Sequence, residues 1–409
     1  MRRLLPLLVS ATLIAAACGS DSDSSADTTA DTTPGTAATT AEAVTATTEA
    51  FAETTPDTSK APVETVPEST EPMAPAVTAA ELAATGPYAV GVTTRTLPEG
   101  GGVEIWYPAD ESTRGGTDTY SLRTYLPDSL AGLIPDDIDV SFTIDATRDG
   151  AAAADGPFPL VLQSHGAAGF RQVSSSVAHH LASWGMVVAA TDHPSRDTGN
   201  SISGTTEGQP PAIEQLRSMR TLLGDLGGDP ILDGVVDADR VALGGHSAGG
   251  GTIAQEAAED EGILGYVSYS SSLRDAVPEV PSLFMAGEID TVAEAANTEA
   301  AFELVPSPSW LWIFADAGHQ AFPDVCLIGG GDATLGEIAV QIGLGDFIDE
   351  GLRRLASDGC DEPNRPVTEV WPGIFQGTTG FYRWVFGIDA EPIGLDESVV
   401  TPGVTITSK

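Results

Sequence analysis

Gly245-His246-Ser247-Ala248-Gly249 fits the pattern G-x-S-x-G. An apolar run, Val241-Ala242-Leu243-Gly244, precedes it, and residues 250–259 have the composition of a helix. In that setting the serine sits on a sharp strand-to-helix turn that lifts its hydroxyl above a sheet. The flanking glycines let strand and helix approach closely. The new helix also offers free backbone N–H groups to an oxygen that gains negative charge during reaction. The chemistry of such a serine is nucleophilic attack on a carbonyl carbon.

A serine nucleophile needs a base and an acid to orient that base. Along a chain with this kind of elbow, the partners follow in the order serine, acid, histidine. Of the six histidines, His319 alone follows Ser247, in Phe314-Ala315-Asp316-Ala317-Gly318-His319 at the end of an apolar strand. Between them, Leu283-Phe284-Met285-Ala286-Gly287-Glu288-Ile289-Asp290 reads as a strand, a glycine turn and an acid at the strand end. Asp290 is the expected orienting acid, with Glu288 and Asp316 as rivals. The oxyanion needs two N–H donors. One is expected from Ala248, directly after the nucleophile. The other is expected from Ala167, in the loop after Ser164-His165-Gly166. His165 is read as shaping that loop, and His246 as a packed residue of the elbow. His179 and His180 lie on a helix as surface or packing residues, and Asp192-His193-Pro194 closes a strand near the rim. The histidines have no metal-ligand spacing, so no metal and no cofactor are expected.

The elements that must position these residues alternate. Residues 88–95 and 102–107 give a β-rich start, and 159–166 is an apolar strand running into a glycine turn. A helix is expected over 174–184, a buried strand over 185–192 and a helix over 212–226. A strand over 240–245 and a helix over 250–259 frame Ser247, and strands follow at 265–268, 282–286 and 310–314. Continuous apolar strands alternating with helices indicate an α/β fold with a mostly parallel sheet covered on both faces. Ligands in such sheets bind at the carboxyl ends of the strands.

The 409 residues carry 59 acidic against 18 basic side chains, a net charge of −41. That balance excludes nucleic acid as a partner and electrostatic docking on anionic lipid. Arg2 and Arg3 precede an apolar stretch over 4–17, too short to span a bilayer, ending in Ala15-Ala16-Ala17-Cys18. Residues 1–18 therefore read as a lipoprotein signal peptide with Cys18 as the lipidated residue. An ordinary secretory peptide is the plainer alternative. Residues 19–80 are almost wholly Ser, Thr, Ala, Asp, Glu and Pro, and read as a disordered tether. Residues 81–409 then form the folded domain, exported and held at the outer face of the membrane through Cys18 or released. A monomer is expected.

At this point the residues resemble a known family. Gly102-Val103-Glu104-Ile105-Trp106-Tyr107-Pro108-Ala109, Ser164-His165-Gly166 and Leu181-Ala182-Ser183-Trp184-Gly185 carry the likeness, with Ala190-Thr191-Asp192-His193-Pro194. The stretch from Val236 to Gly250 around the elbow carries it most closely. Together they are similar to the α/β-hydrolase superfamily, in its branch of platelet-activating factor acetylhydrolases and dienelactone-hydrolase-like enzymes. The likeness runs from about residue 88 to Asp389, with 381–387 resembling a closing helix. It implies hydrolysis of a carboxylic ester, small or lipid-like, through an acyl-enzyme without cofactor. Polyester hydrolases of the cutinase-like kind usually have an aromatic residue where Ala167 stands and Met where Ala248 stands. They also carry a Trp that 268–272 lacks. The two small residues, Ala167 and Ala248, imply a roomier or differently lined acyl site. A polyester or lipid hydrolase, a peptidase or an acyltransferase of the same fold remains an alternative. A non-catalytic binding lipoprotein is another. Arg171 and Arg196 are placed near the pocket rim, without a basic cluster to meet phosphate.

Cys326 and Cys360 remain. In an exported protein an even pair reads as a disulfide. Helices expected at 337–342 and 347–355 lie between them, so 326–360 reads as a stapled insertion after His319. It either packs beside the active-site mouth and limits substrate size, or only stabilises, by about 3–4 kcal/mol.

Overall fold

The computed structural model describes residues 77–409 apart from 274–275, 332, 344, 346–349 and 397. The signal segment, Cys18 and nearly all of the 19–80 tether lie outside the described residues. The described chain opens with α1 (Ala79–Leu82), closed by a capping box between Thr78 and Glu81. The boundary placed at residue 80 thus falls inside an ordered turn. His180 anchors that turn, its Nε2–H donating to the Leu82 carbonyl at 2.9 Å.

Strands β1 (Ala89–Thr96) and β2 (Gly102–Ala109) come next, then β3 (Asp118–Ser121), α2 (Asp128–Ala131), β4 (Ser141–Ile144) and β5 (Thr147–Arg148). The alternating part follows: β6 (Phe158–Ser164), α3 (Ser175–Ser183), β7 (Val187–Thr191), α4 (Thr198–Ser203), α5 (Ala212–Gly224), β8 (Val236–His246), α6 (Ala248–Glu259), β9 (Ile263–Tyr269) and β10 (Ser282–Gly287). The chain ends with α7 (Ala295–Leu304), β11 (Ser309–Phe314), α8 (Leu335–Gln341), α9 (Glu350–Ser357), α10 (Val367–Val385) and β12 (Val404–Ser408).

Ten strands form one sheet in the order β12-β11-β10-β9-β8-β6-β7-β2-β1-β5. From β7 to β11 every pairing is parallel, and β2 and β12 flank that block antiparallel. The fold is that of an α/β-hydrolase, a mostly parallel sheet with helices on both faces. Successive side chains of a strand point to opposite faces. Leu160 and Leu162 of β6 accordingly join the core under α5, α6 and α7, while Val161 joins the core under α3 and α10. The carboxyl ends of β6, β8, β10 and β11 lie along one edge of the parallel block, and the candidate residues follow them directly.

The expected elements around Ser247 appear with shifts of a few residues. The closing helix is longer than the expected 381–387, because Pro372 and several glycines disguise its first half. Those glycines permit contact: a side chain at Gly377 would strike Met285 and Trp312. Residues 118–144 and 325–342 build something apart. β3 and β4 pair only with each other, and Tyr120, Ile134, Val140, Phe170, Ile328 and Ile338 close a small core of their own.

Candidate active site

Ser247 stands between β8 and α6 with φ +55° and ψ −125°, a backbone conformation rare for a residue with a side chain. It is over-determined by its neighbours. The Ser247 amide donates to the Tyr269 carbonyl at 2.9 Å, and its own carbonyl accepts from Ser271 Oγ at 2.7 Å. The glycines serve the close approach their spacing implies. A Cβ on Gly249 would lie 1.9 Å from the Ser164 carbonyl oxygen, and one on Gly245 would lie 2.6 Å from Gly249. No side chain fits at either position.

Asp290 follows the turn after β10, and His319 follows the loop after β11. The Asp290 Oδ2 accepts from His319 Nδ1 at 2.8 Å, and both side chains are fully buried. Asp290 Oδ1 accepts from the amides of Val292 and Ala293 at 2.8 and 2.7 Å. Burial pushes the Asp290 carboxyl up, but the bonds from His319 and Ala293 outweigh it and hold it below its usual range. The ionised carboxylate offers only acceptors, so Nδ1 carries the imidazole hydrogen and Nε2 is left with a lone pair. His319 Nε2 is buried without a hydrogen-bond partner among the described residues, and His319 and Ser247 line the same pocket. The rivals point elsewhere: Glu288 and Asp316 are exposed, and the Glu288 carboxylate accepts from the Asp316 amide.

A further acid holds this pair, and sequence reasoning missed it. Asp358 Oδ1 accepts from the His319 amide at 2.6 Å. Its Oδ2 accepts from the amide and hydroxyl of Thr291, the residue after Asp290. The Asp290 loop and the His319 loop are therefore tied to one carboxylate. The tie needs backbones in contact: a Cβ on Gly318 would lie 2.6 Å from Gly359. Asp358 lies two residues before Cys360, which is disulfide-bonded to Cys326. Its nearness to that cysteine is the one signal the sequence offers.

On the other side, Gly166 packs against Ser247, where a Cβ would come within 3.0 Å of Ser247 Cβ. The Ala167 loop is fixed through His165. The His193 amide donates to His165 Nε2 at 3.0 Å, so Nδ1–H donates to the Gly166 carbonyl at 2.8 Å. Burial, with Arg196 nearby, pushes the His165 pKa down to about 3, and the ring stays neutral. Ala248 is the first residue of α6, where an amide has no intrahelical acceptor. Arg196 joins the two sides: it donates to Ser164 Oγ at 2.7 Å and to Thr252 Oγ1 of α6 at 2.8 Å.

The remaining histidines are packing residues. His246 Nε2–H donates to the His319 carbonyl at 3.0 Å, and burial holds its pKa at about 3. His180 stacks on Phe375 with centroids 4.4 Å apart, and His179 donates to the Asp145 carbonyl. Arg171 pairs with Asp192 at 2.6 Å and lies over the Tyr125 ring. Among the described residues no group of His, Cys, Asp or Glu is placed to hold a metal ion, and no helix is long and apolar enough to cross a membrane.

Above Ser247 opens a largely apolar pocket. One wall comes from 122–140 and the other from α8 and α9 of the stapled insertion. The insertion thus both lines the mouth and, through Asp358, braces the His319 loop.

Comparison with known proteins agrees with this architecture. Residues 82–222 match the family model "Platelet-activating factor acetylhydrolase, isoform II". The platelet-activating factor acetylhydrolase of Cavia porcellus is 27% identical over a region covering 38% of this chain. The chain spans 44% of that relative's length. Among solved structures, a ferulic acid esterase from Streptomyces cinnamoneus superposes with a TM-score of 0.55 at 20% identity, covering 80% of this chain and 99% of its own. Residues 82–222 are thus similar to the platelet-activating factor acetylhydrolase family, and the fold is shared with the ferulic acid esterase.

Proposed function

We propose that this protein hydrolyses carboxylic esters through an acyl-enzyme on Ser247. The observation that carries the reading is His319, held through Nδ1 by Asp290, with an unpartnered Nε2 in the pocket that Ser247 lines. The similar proteins named above, an acetylhydrolase and an esterase, agree with it.

In this reading Ser247 Oγ attacks the ester carbonyl carbon, and its proton passes to His319 Nε2. The carbonyl oxygen becomes an oxyanion and takes hydrogen bonds from the Ala167 and Ala248 amides. The C–O bond to the alcohol then breaks, and the departing oxygen takes the proton from Nε2. Water attacks the acyl-enzyme, giving one proton to His319. Collapse returns that proton to Ser247 Oγ and releases the carboxylic acid. Asp290 stays ionised and stabilises the imidazolium formed in each half. No step calls for a cofactor.

The test is hydrolysis of p-nitrophenyl esters by the full chain beside Ser247→Ala. Turnover that falls by about 10⁴-fold or more in the variant is expected. Turnover that survives the substitution would contradict the reading. We also propose export and anchoring through lipidated Cys18. Palmitate incorporation should be lost in Cys18→Ala, and incorporation that persists would contradict the anchor.

A further inference from the structure

We propose that the pocket above Ser247 holds the acyl chain of a neutral ester, of medium length rather than acetyl. The proposal rests on the reading of Ser247 as the nucleophile. Its first support is apolar surface left facing open space. Leu122, Leu126, Leu130, Leu352 and Leu355 line the pocket, and each is only half-buried. Leucines from two distant segments, all turned to one recess, mark a site that an apolar ligand completes.

The second support is that the recess is preformed. Its two walls are locked together beneath the pocket by Ile134, Val140, Phe170 and Ile338. Buried Asp324, between the insertion and α3, accepts from Ser175 Oγ at 2.6 Å and from the Tyr120 hydroxyl at 3.2 Å. The pocket therefore does not depend on a ligand to draw its walls together.

The third support is charge. Among the described lining residues, Arg353 is the one side chain with a fixed charge. It also lines a shallow outer depression with Glu337 and Asp361, which places it at the rim. A phosphate or carboxylate drawn into the recess would lose its hydration without a paired cation. The recess begins at Ser247 itself. The half of the substrate that stays bonded to Ser247 after the alcohol leaves is the acyl half, so that half is assigned to it.

The experiment measures kcat/KM of the full chain on p-nitrophenyl esters from acetate to dodecanoate. Parallel arms use alkyl acetates of rising alcohol length and an octanoyl ester ending in a carboxylate. Values should rise by about fourfold per methylene until the pocket is filled. The terminal carboxylate should abolish that rise. Leu126→Trp and Leu355→Trp should each lower the ratio of octanoate to acetate at least tenfold; being a ratio, it is insensitive to a misfolded fraction. Activity lost in Ser247→Ala but flat or falling from acetate upward would overturn the acyl pocket and leave the esterase reading standing. A rise confined to the alcohol series would overturn the assignment to the acyl half. No turnover on any ester, with no fluorophosphonate adduct on Ser247, would overturn both.

Discussion

Around Ser247 the chain is packed backbone against backbone, whereas above it the walls are leucines with room to spare. At Gly249 a single added carbon would stand 1.9 Å from the Ser164 carbonyl oxygen. At Leu126, Leu130 and Leu352 the side chains are half-buried and border the open pocket. The floor is built from strand ends of the large sheet, and its geometry is fixed by contacts that no substitution can relax. The roof is built from a short hairpin and small helices around a separate core, pinned to the floor at a few points. A floor of this kind preserves chemistry, and a roof of this kind can change substrate without disturbing it. The Asp290–His319 pair belongs to the floor, and Asp358 and the disulfide are where the roof reaches it.

The contrast can be broken or sharpened by substitution. Asp290→Asn keeps the shape but loses the acceptor that fixes the imidazole, so kcat should fall by about 10⁴-fold on esters of every chain length. A loss confined to long-chain esters would show that Asp290 belongs to specificity instead. Asp358→Ala should release both the His319 amide and Thr291, lowering kcat by about 10–100-fold with acetate and octanoate affected alike. Unchanged kcat would mean that the roof does not brace the floor.

Changes in the roof should register first as stability. Replacing Cys326 and Cys360 together by Ser should cost about 3–4 kcal/mol in urea unfolding, if the roof and the sheet unfold together. A separate early transition that leaves the main one unmoved would show the roof to be an independent unit.

Asp324 gives a smaller effect with a definite sign. Burial holds its carboxyl up at about 6, against 3.8 ordinarily, despite hydrogen bonds from Ser175 and Ser176. The folded state therefore keeps a proton that the unfolded chain releases on passing pH 4. Asp324's contribution is complete below that pH and is lost as pH rises through about 6. Relative to Asp324→Asn, the wild type should lose up to about 3 kcal/mol between pH 4 and 6.5. A relative gain over that range would mean that the carboxylate is the favoured form.

Floor and roof also differ in how far the sequence reveals them. Ser247, Asp290 and His319 are legible because each sits at the end of an apolar strand, where residue type, glycine spacing and chain order are local signals. Ala167 and Ala248 follow from the same turns. Asp358 is not legible, because its role depends on His319 meeting Asp358 across 39 residues that no spacing encodes. The inner wall holds a signal that was obscured. Leu122, Leu126, Leu130 and Ile134 recur at helical spacing, but Pro127 and Gly132 interrupt it, and the chain makes a 3₁₀ turn and one short helix instead. The first half of α10 was hidden in the same way by Pro372. β12 is an edge strand of five residues, with little apolar content beyond Val404 and Ile406.

The central claim is that Ser247 is the nucleophile made reactive by His319. The most direct measurement is fluorophosphonate labelling of the full chain followed by peptide mapping, with His319→Ala beside it. The account expects one adduct, on Ser247, formed at least a hundredfold more slowly in the variant. An adduct on another serine, or equal rates in the two proteins, would contradict it.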